Sequence, residues 1–96
     1  MSDYEQVPVF LGATAGMRML DPSLATTLIA NARTNIKTWG FTTKDEWINI
    51  LSGEQEGVYG WVALNYLLGN FNEGATETVG ALDMGGASAQ YTFKPT

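Results

Sequence analysis

The stretch VGALDMGGASAQYTF, residues 79–93, consists of two β-rich runs on either side of a pair of glycines. The first run is Val79–Met84 and the second is Ser88–Phe93. Gly85 and Gly86 between them are a strong hairpin signal, because glycine adopts the backbone conformations of tight turns at no steric cost. The sequence therefore predicts an antiparallel β-hairpin in this region.

Upstream of this hairpin, short apolar runs alternate with longer stretches that carry an apolar face. Strands are predicted at Val7–Leu11 and Trp47–Leu51, because both runs are short, apolar and β-rich. Between them, a helix is predicted from Asp21-Pro22 to about Thr38, since Asp caps helices and Pro suits the first helical position. On this helix we expect Arg33 to face water.

A second helix is predicted from Val58 to about Leu68, after a glycine-bearing loop at Ser52–Gly57. Only Asn65 interrupts its apolar surface, so we expect the helix to be packed on most sides and Asn65 to be a hydrogen-bonded core group. The order β-α-β-α followed by a β-hairpin predicts an α/β fold.

The composition excludes several classes of chemistry. The 96 residues include no Cys and no His, so disulfides, Cys-based metal sites and His-dependent catalysis are excluded. The formal net charge of −5 argues against a nucleic-acid or anionic-membrane binder. No apolar run approaches the length of a membrane span, so no membrane contact is expected from this segment. Catalysis would have to use carboxylates, hydroxyls, backbone amides and a borrowed metal ion.

The hairpin carries the residues from which a phosphate site could be built. The amides of Gly85, Gly86 and Ala87 could bind a phosphate, and the Ser88 hydroxyl could hold a water molecule. Asp83 could bind a divalent cation through water, as carboxylates beside phosphates often do. An ordinary hairpin with a surface Asp explains the same residues, and the pattern alone leaves both interpretations open.

Two other glycine-bearing turns carry candidate groups. Glu56 is predicted where a loop meets a helix N-terminus, a position that favours its ionised form and suits a general base. From this loop alone a simple preference for negative charge at a helix N-terminus is the favoured explanation, and Glu54 could serve that preference equally well. Thr14, in the turn Gly12–Gly16, could contact a phosphate, or the small residues there could only allow close packing.

Taken together, three segments resemble signature regions of the ecto-nucleoside triphosphate diphosphohydrolase family, the apyrases. Leu11–Arg18 resembles the second region, Gly53–Gly69 the third and Ala81–Gln90 the fourth, in that order along the chain. The first and fifth regions have no counterpart, and Ala89 stands where the family usually has Thr. A sugar kinase or polyphosphatase relative is the competing interpretation, and the segment from Glu56 to Trp61 fits it less well.

The resemblance implies an actin-like architecture of two ribonuclease-H-type lobes, with nucleotide phosphates bound between them. Residues 1–71 would be the C-terminal part of the first lobe, 72–78 the inter-lobe linker and 79–96 the opening β-hairpin of the second lobe. The chain would then be a fragment whose remaining partner is the rest of its parent chain. The family works mostly in secretory-pathway lumens or outside cells, so that is the implied location.

The resemblance also implies roles for individual residues. Glu56 would be the general base that activates a water molecule, Ser88 and Gln90 would position that water, and Thr14 would assist. Asp83 would be an outer-sphere partner of Ca²⁺ or Mg²⁺.

The implied reaction is metal-dependent in-line attack of water on the terminal phosphate of a nucleoside tri- or diphosphate. In that reaction Gly86 and Ala87 would meet phosphate through their backbone amides. The alternative is a nucleotide-binding or structural fragment with no turnover of its own.

Overall fold

A computed structural model describes residues 3–96 of the chain. These residues divide into two compact units, one that ends at Leu51 and one that runs from Ser52 to Thr96. Both units combine helices with a small two-stranded sheet, so the predicted α/β class is confirmed. No helix among the described residues is both long and apolar enough to cross a membrane.

The first unit is built on a parallel pair of strands joined through helices. Strand β1, Leu11–Ala13, is followed by the short helix α1, Ala15–Arg18, and by the long helix α2, Pro22–Lys37. Strand β2, Ile48–Ile50, returns parallel to β1, with Leu11 opposite Ile48. Short 3₁₀ turns at Asp3–Gln6 and Asp45–Trp47 precede the two strands.

The core of this unit lies between α2 and the strand pair. Ile29, Ile36 and Ile48 form its buried centre, and Ile48 is completely inaccessible to solvent. The predicted helix is confirmed, because Asp21 caps it and Pro22 is its first residue. Hydrogen bonds from the Ser23 hydroxyl and backbone amide lower the pKa of the Asp21 carboxyl, so the cap is lost only as the pH falls through that lowered value.

Two expectations for this unit were wrong. The first strand occupies Leu11–Ala13 rather than Val7–Leu11, and Pro8 makes only an isolated bridge to Thr42. The bridge consists of the Thr42 amide donating to the Val7 carbonyl and the Val9 amide donating to the Thr42 carbonyl, so Pro8 is paired without an amide proton of its own.

Arg33 does not face water either. Its guanidinium donates to the Ile48 carbonyl at 2.9 and 3.1 Å and to Asn49 Oδ1 at 3.0 Å, which fastens α2 to β2. A second guanidinium, that of Arg18, donates to the Leu51 carbonyl at 2.5 Å.

In the second unit, helix α3 runs from Gly53 to Leu67. The prediction that Ser52–Gly57 forms a loop was therefore wrong. Ser52 and Gln55 form a capping box, in which Ser52 Oγ accepts from the Gln55 amide at 3.1 Å and Gln55 Oε1 accepts from the Ser52 amide at 2.9 Å. This reciprocal pairing satisfies two otherwise unpaired amides and outweighs the helix-breaking tendency of the two glycines.

The predicted hairpin is confirmed. Strand β3, Ala81–Met84, pairs antiparallel with β4, Ala89–Thr92, and Asp83 lies directly opposite Gln90. The turn itself differs from the two-residue type that paired glycines favour, because neither Gly85 nor Gly86 has a positive φ. Instead four residues connect the strands, and the Gly85 amide donates to the Ser88 carbonyl at 2.9 Å.

Helix α3 packs on one face of this hairpin, and Gly57 sets how closely the two approach. A Cβ at position 57 would lie 2.5 Å from Thr92 Oγ1 and 3.5 Å from Gln90 Cβ. The expectation that α3 is packed on most sides was wrong for this unit, since Gly57 and Asn65 are its only buried residues. Tyr66 and Leu67 are 73% and 81% exposed.

The helix offers a matched pair of glycine substitutions. Gly57→Ala should lower the free energy of unfolding by about 1–3 kcal/mol, because the new methyl group overpacks the contact with Thr92. Gly60→Ala on the same helix should raise it by about 0.5–1 kcal/mol, because its Cβ meets open space and alanine favours helix. Urea unfolding measures both, and a Gly57→Ala variant as stable as Gly60→Ala would contradict the proposed packing.

Candidate active site

One face of α3 carries glycine at three positions and glutamate at a fourth. Residues 53, 56, 57 and 60 follow the spacing that places side chains on the same side of a helix. Glu56 is half-buried and its Oε2 atom is shielded from solvent, whereas Glu54, one position outside this pattern, is exposed. The structure therefore distinguishes the two glutamates that the sequence left equivalent.

Gln90 lies against this glycine face. A Cβ at position 53 would come 3.5 Å from Gln90 Nε2, and one at position 57 would come equally close to Gln90 Cβ. Glu56 lies between these two positions along the helix. The first turn of α3 and the start of β4 thus place a carboxylate and a carboxamide in the same region.

Gln90 is itself oriented by Ser88. Its Nε2 donates to Ser88 Oγ at 3.0 Å, two residues earlier on the same strand. Its Oε1 is buried and accepts no hydrogen bond from the described residues. A buried carbonyl oxygen of this kind is costly unless a donor reaches it, and a water molecule is a suitable donor.

Asp83 and Gln90 share a groove between α3 and the hairpin. The groove has a volume of about 420 Å³, and glycines 57 and 60 form much of its helical side. Asp83 is exposed there and directly opposite Gln90 in the strand register. The wall of the groove therefore presents one carboxylate and one carboxamide on a surface that is otherwise mostly aliphatic.

The turn between the strands supplies backbone groups. Gly86 and Ala87 are exposed at its tip. The Gly85 amide, which the sequence placed with them as a phosphate contact, donates to the Ser88 carbonyl instead. Gly86 and Ala87 are the better placed of the three for an incoming anion.

Thr14 belongs to the other unit. It is exposed, immediately follows β1 and precedes α1, and its carbonyl accepts the amides of Met17 and Arg18. Its hydroxyl makes no capping hydrogen bond, so the side chain is not committed to the helix start.

The charge of the second unit bears on what it could bind. Residues 52–96 contain five acidic side chains and a single basic one, Lys94. A phosphate near Asp83 and Glu56 would be repelled unless a cation lay between them. Among residues 3–96, no three His, Cys, Asp or Glu side chains converge into a metal cage. The exposed carboxylate of Asp83 fits a hard divalent ion that keeps several of its waters.

The sequence did not predict that the glycines at 57 and 60 form the contact surface of a helix. The signal was present, because glycine recurs at positions 53, 57 and 60, a spacing that places all three on one side of a helix. The prediction of a loop at Ser52–Gly57 separated Gly53 and Gly57 from the helix and hid the spacing that places them, with Gly60, on the same face as Glu56. The capping pair Ser52 and Gln55, three residues apart, was the feature that would have revealed the helix.

A family model described as GDA1/CD39 (nucleoside phosphatase) family matches residues 1–96, the whole of the chain. The chain belongs to this family. The earlier resemblance to the apyrases is therefore confirmed at the family level.

Individual relatives within the GDA1/CD39 family are similar along nearly the whole chain. A probable apyrase 3 from Arabidopsis thaliana is 40% identical over 94% of this chain, and an apyrase from Solanum tuberosum is 43% identical over 92% of it. The mouse ectonucleoside triphosphate diphosphohydrolase 1 is 42% identical over 98%. The chain spans about a fifth of the length of these relatives.

The link between Ser88 and Gln90 can be tested directly. Ser88→Ala removes the acceptor of the Gln90 Nε2 bond, so the side-chain amide resonances of Gln90 should shift and their hydrogen exchange should accelerate. The side-chain amide of Gln55, whose Oε1 accepts from Ser52 in the capping box, serves as the internal control in the same spectrum. Unchanged Gln90 resonances would show that Ser88 does not orient this side chain.

Proposed function

We propose that this chain is part of an enzyme that hydrolyses the terminal phosphate of nucleoside tri- and diphosphates by metal-dependent in-line attack of water. The observation that carries the proposal is the shielded carboxylate of Glu56 on the same helical face that contacts Gln90. The family match and relatives named apyrase and ectonucleoside triphosphate diphosphohydrolase support the substrate class.

In this proposal Glu56 is the general base. Its carboxylate lies in the first turn of α3, on the helical face that contacts Gln90. An ionised carboxylate can accept a proton from water as the oxygen of that water attacks phosphorus. The proton moves to Glu56, a P–O bond forms to the attacking oxygen, and the bond from the terminal phosphorus to the bridging oxygen breaks in line, so that a nucleoside di- or monophosphate leaves.

Gln90 and Ser88 hold the attacking water in this proposal. The buried Gln90 Oε1 accepts a hydrogen bond from that water, while the Ser88 hydroxyl fixes the carboxamide through Nε2. Two fixed acceptors, Glu56 and Gln90, define the orientation of the water, which lowers the entropy cost of attack. Thr14 assists through its hydroxyl once substrate is bound.

The phosphate contacts come from the hairpin turn. The exposed Gly86 and Ala87 present backbone amides to the terminal phosphate, and Gly85 supports the turn through its bond to Ser88. Asp83 would hold a Ca²⁺ or Mg²⁺ ion through water, which neutralises negative charge on the phosphates when bound. Because the unit carries so few basic groups, the ion would also offset repulsion between the substrate and the carboxylates.

The wider architecture follows from the same proposal. Residues 1–71 belong to the first lobe of an actin-like fold, 72–78 form the linker and 79–96 open the second lobe with the hairpin. The remaining lobe surfaces come from the rest of a parent chain about five times longer, as in the relatives. The parent acts outside cells or in a secretory-pathway lumen.

A second candidate is a nucleotide-binding or structural fragment that does not turn over substrate on its own. The 96 residues span about a fifth of the length of the relatives, which favours it for the isolated chain. A full-length chimera separates the two candidates: the chain replaces the matching segment of the Solanum tuberosum apyrase, to which it is 43% identical. Phosphate release by the chimera together with none by the 96-residue chain would assign catalysis to the longer protein.

The role of Glu56 is tested by a matched pair of glutamates in that chimera. Glu56→Gln should lower kcat for ATP and ADP at least about a hundredfold, because it removes a general base. Glu54→Gln, in the same helical turn but exposed, should stay within about twofold. Malachite-green detection of phosphate measures both, and equal effects of the two substitutions would refute the assignment.

The role of Asp83 is tested by metal titration. Asp83→Asn should raise the concentration of Ca²⁺ or Mg²⁺ needed for half-maximal hydrolysis by about tenfold, because a neutral amide holds metal-bound water less strongly. The maximal rate at saturating metal should change much less. An unchanged metal requirement would exclude Asp83 as the partner of the ion, and Glu77→Gln, an exposed acidic position outside the groove, is the control.

A further inference from the structure

Asn65 is completely buried on a helix whose other polar positions are exposed or lie in its first turn. A carboxamide has two donor protons and two acceptor positions, and burial makes each one costly if unpaired. All four are used here. Asn65 is therefore a satisfied core group, as the sequence predicted, but its partners extend well beyond the helix.

The Asn65 carboxamide binds three separate parts of the second unit. Its Nδ2 donates to the Trp61 carbonyl at 2.9 Å, one turn earlier on α3, and to the Val79 carbonyl at 3.0 Å. Its Oδ1 accepts the Val79 amide at 2.8 Å and Asn70 Nδ2 at 2.8 Å. The side chain thus pairs with both backbone groups of Val79, as a neighbouring strand would.

The end of α3 completes this arrangement. Gly69 has a φ of 74°, and the Gly69 and Asn70 amides donate to the carbonyls of Tyr66 and Asn65 at 3.0 and 2.9 Å. This pair of bonds is a Schellman motif, which stops the helix and turns the chain back on itself. The turn returns the Asn70 side chain to Asn65 Oδ1.

Val79 lies two residues before β3, so its attachment decides where that strand enters beside the helix. Asp83 follows on the same strand, and Gln90 lies opposite it. Glu56 lies on α3 itself, nine residues before Asn65. The Asn65 side chain therefore joins helix α3, which carries Glu56, to the hairpin that carries Asp83 and Gln90.

We propose that Asn65 is a positioning residue for the hydrolysis, because its four hydrogen bonds fix the hairpin of Asp83 and Gln90 relative to the helix of Glu56. The proposal rests on the proposed function. In the lobe division proposed above, residues 72–78 are the linker, and Asn65 binds Val79 directly after it. These bonds limit how far the hairpin can move from α3.

The test uses the full-length chimera described above. Asn65→Leu removes all four hydrogen bonds and keeps a branched side chain with the same number of non-hydrogen atoms. Asn65→Asp keeps the shape while turning the two donors into a group that must be protonated to donate. The control is Asn35→Leu. Asn35 also donates to the carbonyl four residues earlier, Asn31, at 2.9 Å, but it is exposed on α2. The control therefore loses the same local bond without the long-range ones.

The expected result for Asn65→Leu is a fall in kcat of at least about tenfold, with KM for ATP within about threefold and circular dichroism unchanged at the assay temperature. Asn35→Leu should keep kcat within about twofold. For Asn65→Asp, kcat relative to the unsubstituted chimera should be higher at pH 5.5 than at pH 8, because the protonated carboxyl regains one donor. A purely structural role would give no such pH dependence in a folded variant.

Three results would overturn the proposal. They are a kcat within twofold of the unsubstituted chimera in a folded Asn65→Leu variant, a flat relative pH profile for Asn65→Asp, or loss of folding in both variants while Asn35→Leu stays folded. The last would assign Asn65 to stability alone. The proposed function is tested separately by Glu56→Gln. If Glu56→Gln retains activity, the proposed function fails. If the Asn65 variants retain activity and Glu56→Gln does not, only the role of Asn65 fails.

Discussion

The second unit depends on one close approach, that of helix α3 to strand β4 at Gly57. With no side chain at this position, the backbone of the helix comes within contact distance of Thr92 and Gln90. The approach brings the first turn of the helix, with its shielded glutamate, to the region where the strand presents its carboxamide. Any larger residue at position 57 would separate the two elements and, with them, the two groups that are proposed to hold water.

The glycine contact acts together with the capping box and the Asn65 link. Ser52 and Gln55 form the capping box that begins the helix. Gly53 and Gly57 are therefore helical rather than part of a flexible loop. Near the other end of the helix, the carboxamide of Asn65 anchors the chain just before β3. The first turn, the Gly57 contact and the Asn65 link hold the hairpin on α3 at separate points, so the backbone that carries the site is fixed from several directions.

Much of this organisation could be predicted from the sequence, and the misses have identifiable causes. The α2 helix, the hairpin and the α/β class follow from periodicity and from Asp21-Pro22, because these signals are local. The start of α3 was missed because two glycines outweighed the capping pair in the prediction. The role of Arg33 was missed because its position on a polar helical face predicts only solvent exposure. Its partner, the Ile48 carbonyl on β2, is distant in the sequence. Long-range partners of this kind are set by tertiary contacts.

The outer face of the hairpin has a consequence for handling this chain. Leu82, Met84 and Tyr91 are between 69% and 77% exposed, and the hairpin is a sheet of only two strands. Unpaired strand edges beside an apolar face are templates for pairing with another copy. The isolated chain should therefore self-associate into β-rich aggregates as its concentration rises. A solubilising fusion partner, or work at low micromolar concentration, would be needed to study it outside a longer protein.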